Sequence, residues 1–198
     1  MIKLAITGNI ASGKSLIESF FQEEGIISID TDTIVHSILS KDKVIIEKIS
    51  NLFDIKVKDS KGRIDRKKVG KIVFNDKNKL SELEKILHPE VYKAMEEFFE
   101  KNKNEKIVAV SVPQLYETGW EKFFDYILLV IADDDIRLQR LIQRNNLSEK
   151  DARKRLLMQI TQEEKIKKAD FVIDNSKDVD NTKIQFKKIL EKLLYRSN

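Results

Sequence analysis

Eight residues near the start of the chain, Gly8-Asn9-Ile10-Ala11-Ser12-Gly13-Lys14-Ser15, have the types and spacing needed to hold a polyphosphate. The chain has six glycines in 198 residues, yet two of them stand five apart here, with a lysine and a serine directly after. Fixing glycine costs conformational entropy, so such a cluster has a mechanical purpose. These glycines let the backbone curl until successive N–H groups face inward as an anion nest. A helix beginning at Lys14 would aim its partly positive N-terminus at the same point. Lys14 would then reach the outer phosphates of a nucleoside triphosphate, and Ser15 would ligate the accompanying Mg²⁺. The eight residues satisfy G-x-x-x-x-G-K-[ST] between an apolar run and a helical pattern, the context in which that motif carries its meaning.

Two further groups could do chemistry beside a bound triphosphate. The run Ile29-Asp30-Thr31-Asp32 ends an apolar stretch in two acids. In open α/β sheets the carboxyl ends of the strands face the ligand crevice, so a carboxylate there could accept a proton from an acceptor hydroxyl. Position favours Asp32 for that task, while Asp30 serves equally well as a helix N-cap. His36 would share the face of Asp32 if a helix begins there. The resulting Asp-x-Asp-x₃-His could suggest a metal cage, but a kinase carries its Mg²⁺ on the phosphates. The second group is basic: Arg137, Arg140 and Arg144 recur near helical spacing before the polar break Arg144–Ser148, and Arg153 and Arg155 follow. A hinged helical hairpin carrying arginines is what phosphoryl transfer requires of a lid that expels water and adds positive charge. The same arginines are compatible with a solvated helix face.

The elements that must position these groups follow from periodicity. Short apolar runs at 2–6, 26–29, 107–112, 126–131 and 171–173 read as strands, several continuous enough to be buried on both faces of a parallel sheet. Helical patterns lie between and after them at 14–24, 134–144, 148–168 and 178–195, with Ser148 as an N-cap and Asp133 to Asp135 complementing a helix dipole. Strands alternating with helices predict an α/β fold with a parallel sheet. The interval from about 31 to 105 breaks the rhythm, with helical patterns at 44–53, 67–74, 80–87 and 89–101 and no strong strand. It reads as a helical insertion between the second and third strands.

Composition narrows the classes. Thirty-seven basic against thirty-three acidic side chains leave a formal charge of +4, compatible with small phosphate-bearing molecules and unlike a nucleic-acid arm. With no cysteine, disulfides, thiolate zinc sites and cysteine nucleophiles are excluded. The longest purely apolar run, Ile127–Ala132, falls far short of the roughly twenty residues a membrane helix needs. These features predict a cytoplasmic protein that binds neither nucleic acid nor membrane. A switch GTPase is disfavoured: Asp59-Ser60-Lys61-Gly62 matches D-x-x-G only in letters, inside a polar stretch that reads as a surface turn, and no N-K-x-D occurs. The residues alone leave open a kinase of a small acceptor, such as a nucleoside monophosphate, and a nucleotide-dependent binding module.

Gly8 to Ser15, Asp30-Thr31-Asp32 with His36, His88-Pro89, and Val112-Pro113-Gln114-Leu115-Tyr116-Glu117-Thr118-Gly119 together resemble the dephospho-CoA kinase family. Arg140, Arg144, Leu147-Ser148, Gln159 and Val172-Ile173-Asp174-Asn175 fit the same family at matching spacings, so the resemblance spans essentially the whole chain. It implies a P-loop NTPase three-layer fold with a five-stranded parallel sheet, a helical acceptor-binding insertion at about 31–105 and a small lid at about 137–168. It also implies ATP-dependent phosphorylation of the ribose 3′-hydroxyl of dephospho-CoA, with Mg²⁺ accompanying ATP, by a monomer or small homo-oligomer. Carried over by position, Gly8 and the segment Ala11, Ser12, Gly13, Lys14, Ser15 and Leu16 cradle the ATP phosphates. Asp32 is the base, Arg140 and Arg144 belong to the lid side, and Asn175 lies near the adenine. The chain departs from the family's usual Gly at Ala11, Thr at Leu16, Leu at Gln114 and Phe at Tyr116, and from a common Gly at Lys177.

Overall fold

The computed structural model describes residues 1–53 and 57–196. They form two compact units, one of 1–30 with 102–196 and one of the described residues within 31–101. The first is built on five parallel strands: β1 (Ile2–Gly8), β2 (Ser28–Asp30), β3 (Ile107–Ser111), β4 (Tyr126–Ile131) and β5 (Phe171–Asp174), in the order β2-β3-β1-β4-β5. Because β1 is central, the loop that leaves it emerges with the ends of β3 and β4 on either side. That is the crevice position of an open parallel sheet.

Strand residues on alternate positions supply the core. Ile2, Leu4 and Ile6 of β1, Ile107 and Ala109 of β3, Leu128 and Val130 of β4, and Phe171 and Ile173 of β5 pack together on one face. Helices α1 (Lys14–Glu23) and α10 (Val179–Arg196) join them, and the rings of Phe21 and Phe186 stand perpendicular with their centroids 4.8 Å apart. Val108, Val110, Ile127 and Leu129, which point the other way, are also buried. A strand buried on both faces has no polar alternation, hence the continuous apolar runs in the sequence.

The second unit contains α2 (Thr31–Lys41), α3 (Lys43–Leu52), α4 (Arg66–Asn75) and α5 (Lys77–Lys101). Asp42 caps α3 by accepting from the backbone N–H groups of Val44 and Ile45, and Asp65 caps α4 through Lys67 and Lys68. Two expectations are resolved here. Helix α2, which the sequence offers only as a condition for His36 to share the face of Asp32, is formed: its β-branched and hydroxyl residues give a weak helical signal, and burial of Ile34 and Leu39 outweighs their propensity. The patterns at 80–87 and 89–101 are one helix that runs through Pro89. Its buried stripe Leu83, Leu87, Val91, Met95 and Phe99 continues past the proline, which itself stands on the exposed face. The carbonyl that loses its hydrogen bond to Pro89 belongs to exposed Lys85 and can be solvated.

After β3 come α6 (Leu115–Thr118) and a 3-10 turn at Trp120–Phe123; after β4 come α7 (Asp134–Asn145), α8 (Glu149–Leu156) and α9 (Gln162–Ile166). The expected helix at 148–168 is therefore two helices. Ser148 caps the first through Asp151 N, and Thr161 caps the second through Glu164 N. Leu138 and Leu141 of α7 pack with Ala152 of α8, and Ile10 and Ala11 lie against this cluster.

Candidate active site

The loop after β1 shows why its glycines are required. A Cβ on Gly8 would meet both Ser12 Oγ and the Val130 carbonyl at 2.5 Å, so the chain can approach β4 only without a side chain there. Gly13 has φ +96°, and Ala11, with φ +64°, also takes the left-handed conformation. Gly13 occupies the N-cap position of α1, and no side chain caps that helix. The N–H groups of Lys14 and Ser15 open this helix beside the loop, and a helix N-terminus favours an anion. Ser12 Oγ is buried there without a hydrogen-bond partner.

Lys14 spans from this loop to two strand ends. Its ammonium is 3.0 Å from Glu18 Oε1, bonds Ser111 Oγ at the end of β3, and lies 3.9 Å from Asp30 Oδ2 at the end of β2. Of the two acids singled out in the sequence, Asp30 is the one paired with Lys14. Asp32 follows two residues on, exposed in the first turn of α2. Ser15 is exposed on the first turn of α1, and Leu16 packs against the sheet core. The Ser15 hydroxyl and the Asp30 carboxylate are hard oxygen donors, the chemistry that suits Mg²⁺.

Asn175, at the end of β5, closes the other side of the loop. Its Nδ2 donates to the Ser12 carbonyl at 2.8 Å and packs on Gly13, while its Oδ1 accepts from Thr182 Oγ1 at 3.0 Å. Arg140 Nη2 donates to the Asn175 carbonyl at 3.0 Å, and Arg140 Nη1 is buried without a hydrogen-bond partner.

The three arginines read as one set separate in space. Arg137 is buried, donates from Nε to the Ile10 carbonyl at 3.1 Å, and pairs with Asp134 at 2.7 Å. Burial pushes its guanidinium pKa down, and Asp134 opposes that. Arg140 stands beside the loop; Arg144 is exposed and bonds its neighbour Asn145. Asp134 thus holds Arg137 and also accepts from Gln162 at 3.3 Å, beyond any effect on the helix dipole. Thr182 contacts the site and is not among the residues singled out in the sequence, while Arg137, read there as a lid arginine, braces the loop instead. The spacing of the arginines points to Arg137 but not to its partner Ile10, which lies 127 residues away.

Other residues are placed away from this loop. Asp59 accepts from the N–H groups of Lys61 and Arg63, which makes Asp59–Gly62 a turn. His36 is exposed on α2, and His88 sits within α5. In the Pro113–Gly119 segment, Glu117 Oε1 lies 2.8 Å from the ammonium of Lys165 on α9, and the Tyr116 hydroxyl is buried without a hydrogen-bond partner. Among the described residues no group of three His, Cys, Asp or Glu could hold a metal, and no helix is long and apolar enough to cross a membrane.

The family model described as dephospho-CoA kinase matches residues 2–181. A dephospho-CoA kinase of Fusobacterium nucleatum is 41% identical over 186 residues, covering 94% of each chain. Among solved structures, one from Thermus thermophilus superposes with a TM-score of 0.84 at 32% identity, covering 97% of both chains. A dephospho-CoA kinase from Campylobacter jejuni superposes with a TM-score of 0.75 at 31% identity, covering 99% of this chain and 98% of that one.

Proposed function

The chain belongs to the dephospho-CoA kinase family, and from that membership we propose that it transfers the γ-phosphoryl group of ATP to the ribose 3′-hydroxyl of dephospho-CoA, yielding coenzyme A and ADP. The observation that carries this reading is the uncapped start of α1 with Lys14 tied to the ends of β2 and β3. It is a phosphate cradle at the crevice of a parallel sheet.

In this reading Gly8 and Ala11 to Leu16 cradle the phosphates, and Lys14 exchanges its carboxylate and hydroxyl partners for phosphate oxygens. The unpartnered Arg140 Nη1 beside Gly13 supports a place for Arg140 against the transferring group. Asp32 accepts the proton of the 3′-hydroxyl as that oxygen bonds to the γ-phosphorus and the bridging oxygen leaves with ADP. Ser15 would hold a divalent cation such as Mg²⁺, which would supply positive charge against the phosphate oxygens. Asn175 borders the adenine end, Arg144 belongs to a lid formed by residues 137–168, and the helices of the second unit receive the acceptor. The enzyme acts in the cytoplasm as a monomer or small homo-oligomer, without membrane or nucleic-acid partners.

The test is an acceptor panel: Mg-ATP with dephospho-CoA, AMP, CMP or shikimate, products identified by mass. Turnover confined to dephospho-CoA is expected. Preferential turnover of another acceptor would replace the substrate assignment, and slow ATP hydrolysis with no phosphorylated acceptor would remove the kinase reading.

A further inference from the structure

Ala11 holds a conformation that alanine resists. At φ +64° its Cβ crowds the following carbonyl, a cost glycine does not bear. Such a residue persists only where its surroundings over-determine it. The four backbone groups flanking Ala11 are all engaged. The Ile10 N–H donates to Gln159 Oε1 at 2.7 Å, and the Ile10 carbonyl accepts from Arg137 Nε at 3.1 Å. The Ser12 N–H donates to the Asn9 carbonyl at 3.0 Å, and the Ser12 carbonyl accepts from Asn175 Nδ2 at 2.8 Å. Three of these partners are side chains from separate parts of the first unit. A reciprocal bond, Asn9 Nδ2 to the Ile160 carbonyl at 2.9 Å, fastens the same stretch of loop to the segment between α8 and α9.

We propose that Gln159 is a positioning residue that, with Arg137 and Asn175, forces Ala11 into the left-handed conformation and so shapes the phosphate cradle. Gln159 touches no substrate in this account. By holding the Ile10 N–H it fixes the peptide that leads into Ala11, and so the course of the loop into α1. Because residues 159–160 join α8 to α9, the same two bonds link the loop to the segment assigned to the lid.

The proposal rests on the nucleotide-binding reading, and a double-mutant cycle separates the two. Gln159→Leu removes the acceptor at similar size, and Ala11→Gly removes the need for it. In the wild-type background Q159L should raise the Mg-ATP Kd and KM by about three- to tenfold, the range one hydrogen bond carries. The KM for dephospho-CoA should stay within about twofold of wild type, below the loss expected of one hydrogen bond. In the A11G background the same substitution should change Mg-ATP affinity by less than about twofold, because glycine needs no anchor at that φ. Equal losses in both backgrounds, or no loss in either, would overturn the proposal. Thermal unfolding without nucleotide gives a second cycle that stands even if Mg-ATP does not bind. Q159L should lower Tm more in the wild-type background than in A11G, and equal decrements would again overturn it. If Q159L alone fails to fold, recovery of a folded protein by adding A11G supports the proposal, and continued unfolding contradicts it.

Discussion

The ammonium of Lys165, with its side chain fully buried, lies 2.8 Å from Glu117 Oε1, whose side chain is 22% exposed. The pair ties α9 to α6, and its two ends are unequally placed. Removing one partner of a buried pair strands the other charge. Glu117→Gln leaves a fully buried ammonium unopposed and should cost about 3–5 kcal/mol of stability. Lys165→Met keeps the apolar stem and leaves a carboxylate that water can reach, so its cost should be nearer 2 kcal/mol by the same reasoning. Urea denaturation of the two variants checks the order. A larger loss for Lys165→Met would refute this view of the pair.

Tyr116 is buried, and its hydroxyl finds no hydrogen-bond partner. Tyr116→Phe should therefore stabilise the protein by about 1 kcal/mol at pH 7. Burial chiefly, with the charges of Asp170 and Glu121, pushes the phenol from its ordinary 10.0 up to about 12. The unfolded chain releases this proton first as pH rises. The phenol's share of stability is thus intact below about pH 10 and is lost progressively towards pH 12. Over that window wild type should lose more stability than Tyr116→Phe. Parallel curves would contradict the assignment.

Lys14 has three polar partners in the structure, all replaceable by phosphate oxygens. Lys14→Ala should lower kcat by about a hundredfold or more, the scale of one lost transition-state donor, with the circular dichroism spectrum unchanged. A well-folded variant with near-wild-type kcat would remove Lys14 from the site.

The two acids stand in different surroundings. Asp30 faces Lys14, whereas Asp32 opens α2 from an exposed position. Asp32→Asn should lower kcat by about a hundred- to ten-thousandfold with little change in Mg-ATP affinity, as loss of a general base does. Asp30→Asn should act mainly on Mg-ATP affinity, through Lys14. Added Mn²⁺ should not rescue Asp32→Asn, and wild-type turnover in that variant would exclude it as the base.

The strands and the glycine loop were legible because their signals are local. The five apolar runs and the G-x-x-x-x-G-K-S spacing each lie within a few residues, and the five strands form where those runs are. Helix α2 was only weakly signalled through its threonine and serine, and the continuity of α5 was hidden by Pro89, since burial of Ile34, Leu39, Leu87 and Val91 acts only in three dimensions. The supports of the loop were less legible still. Gln159 lies 149 residues from Ile10, Arg137 lies 127 from it, and Asn175 lies 163 from Ser12, so no spacing rule links them. Arginines 137, 140 and 144 share a helix and a repeat, yet one braces a carbonyl, one borders Gly13 and one is exposed.

The most direct test of the central claim is the structure of the product formed from Mg-ATP and dephospho-CoA, read by phosphorus and proton NMR. A new phosphomonoester coupled to the ribose 3′ proton, formed in equimolar amount with ADP, is the predicted result. ADP without a phosphorylated acceptor, or phosphate on any other oxygen of dephospho-CoA, would contradict the account.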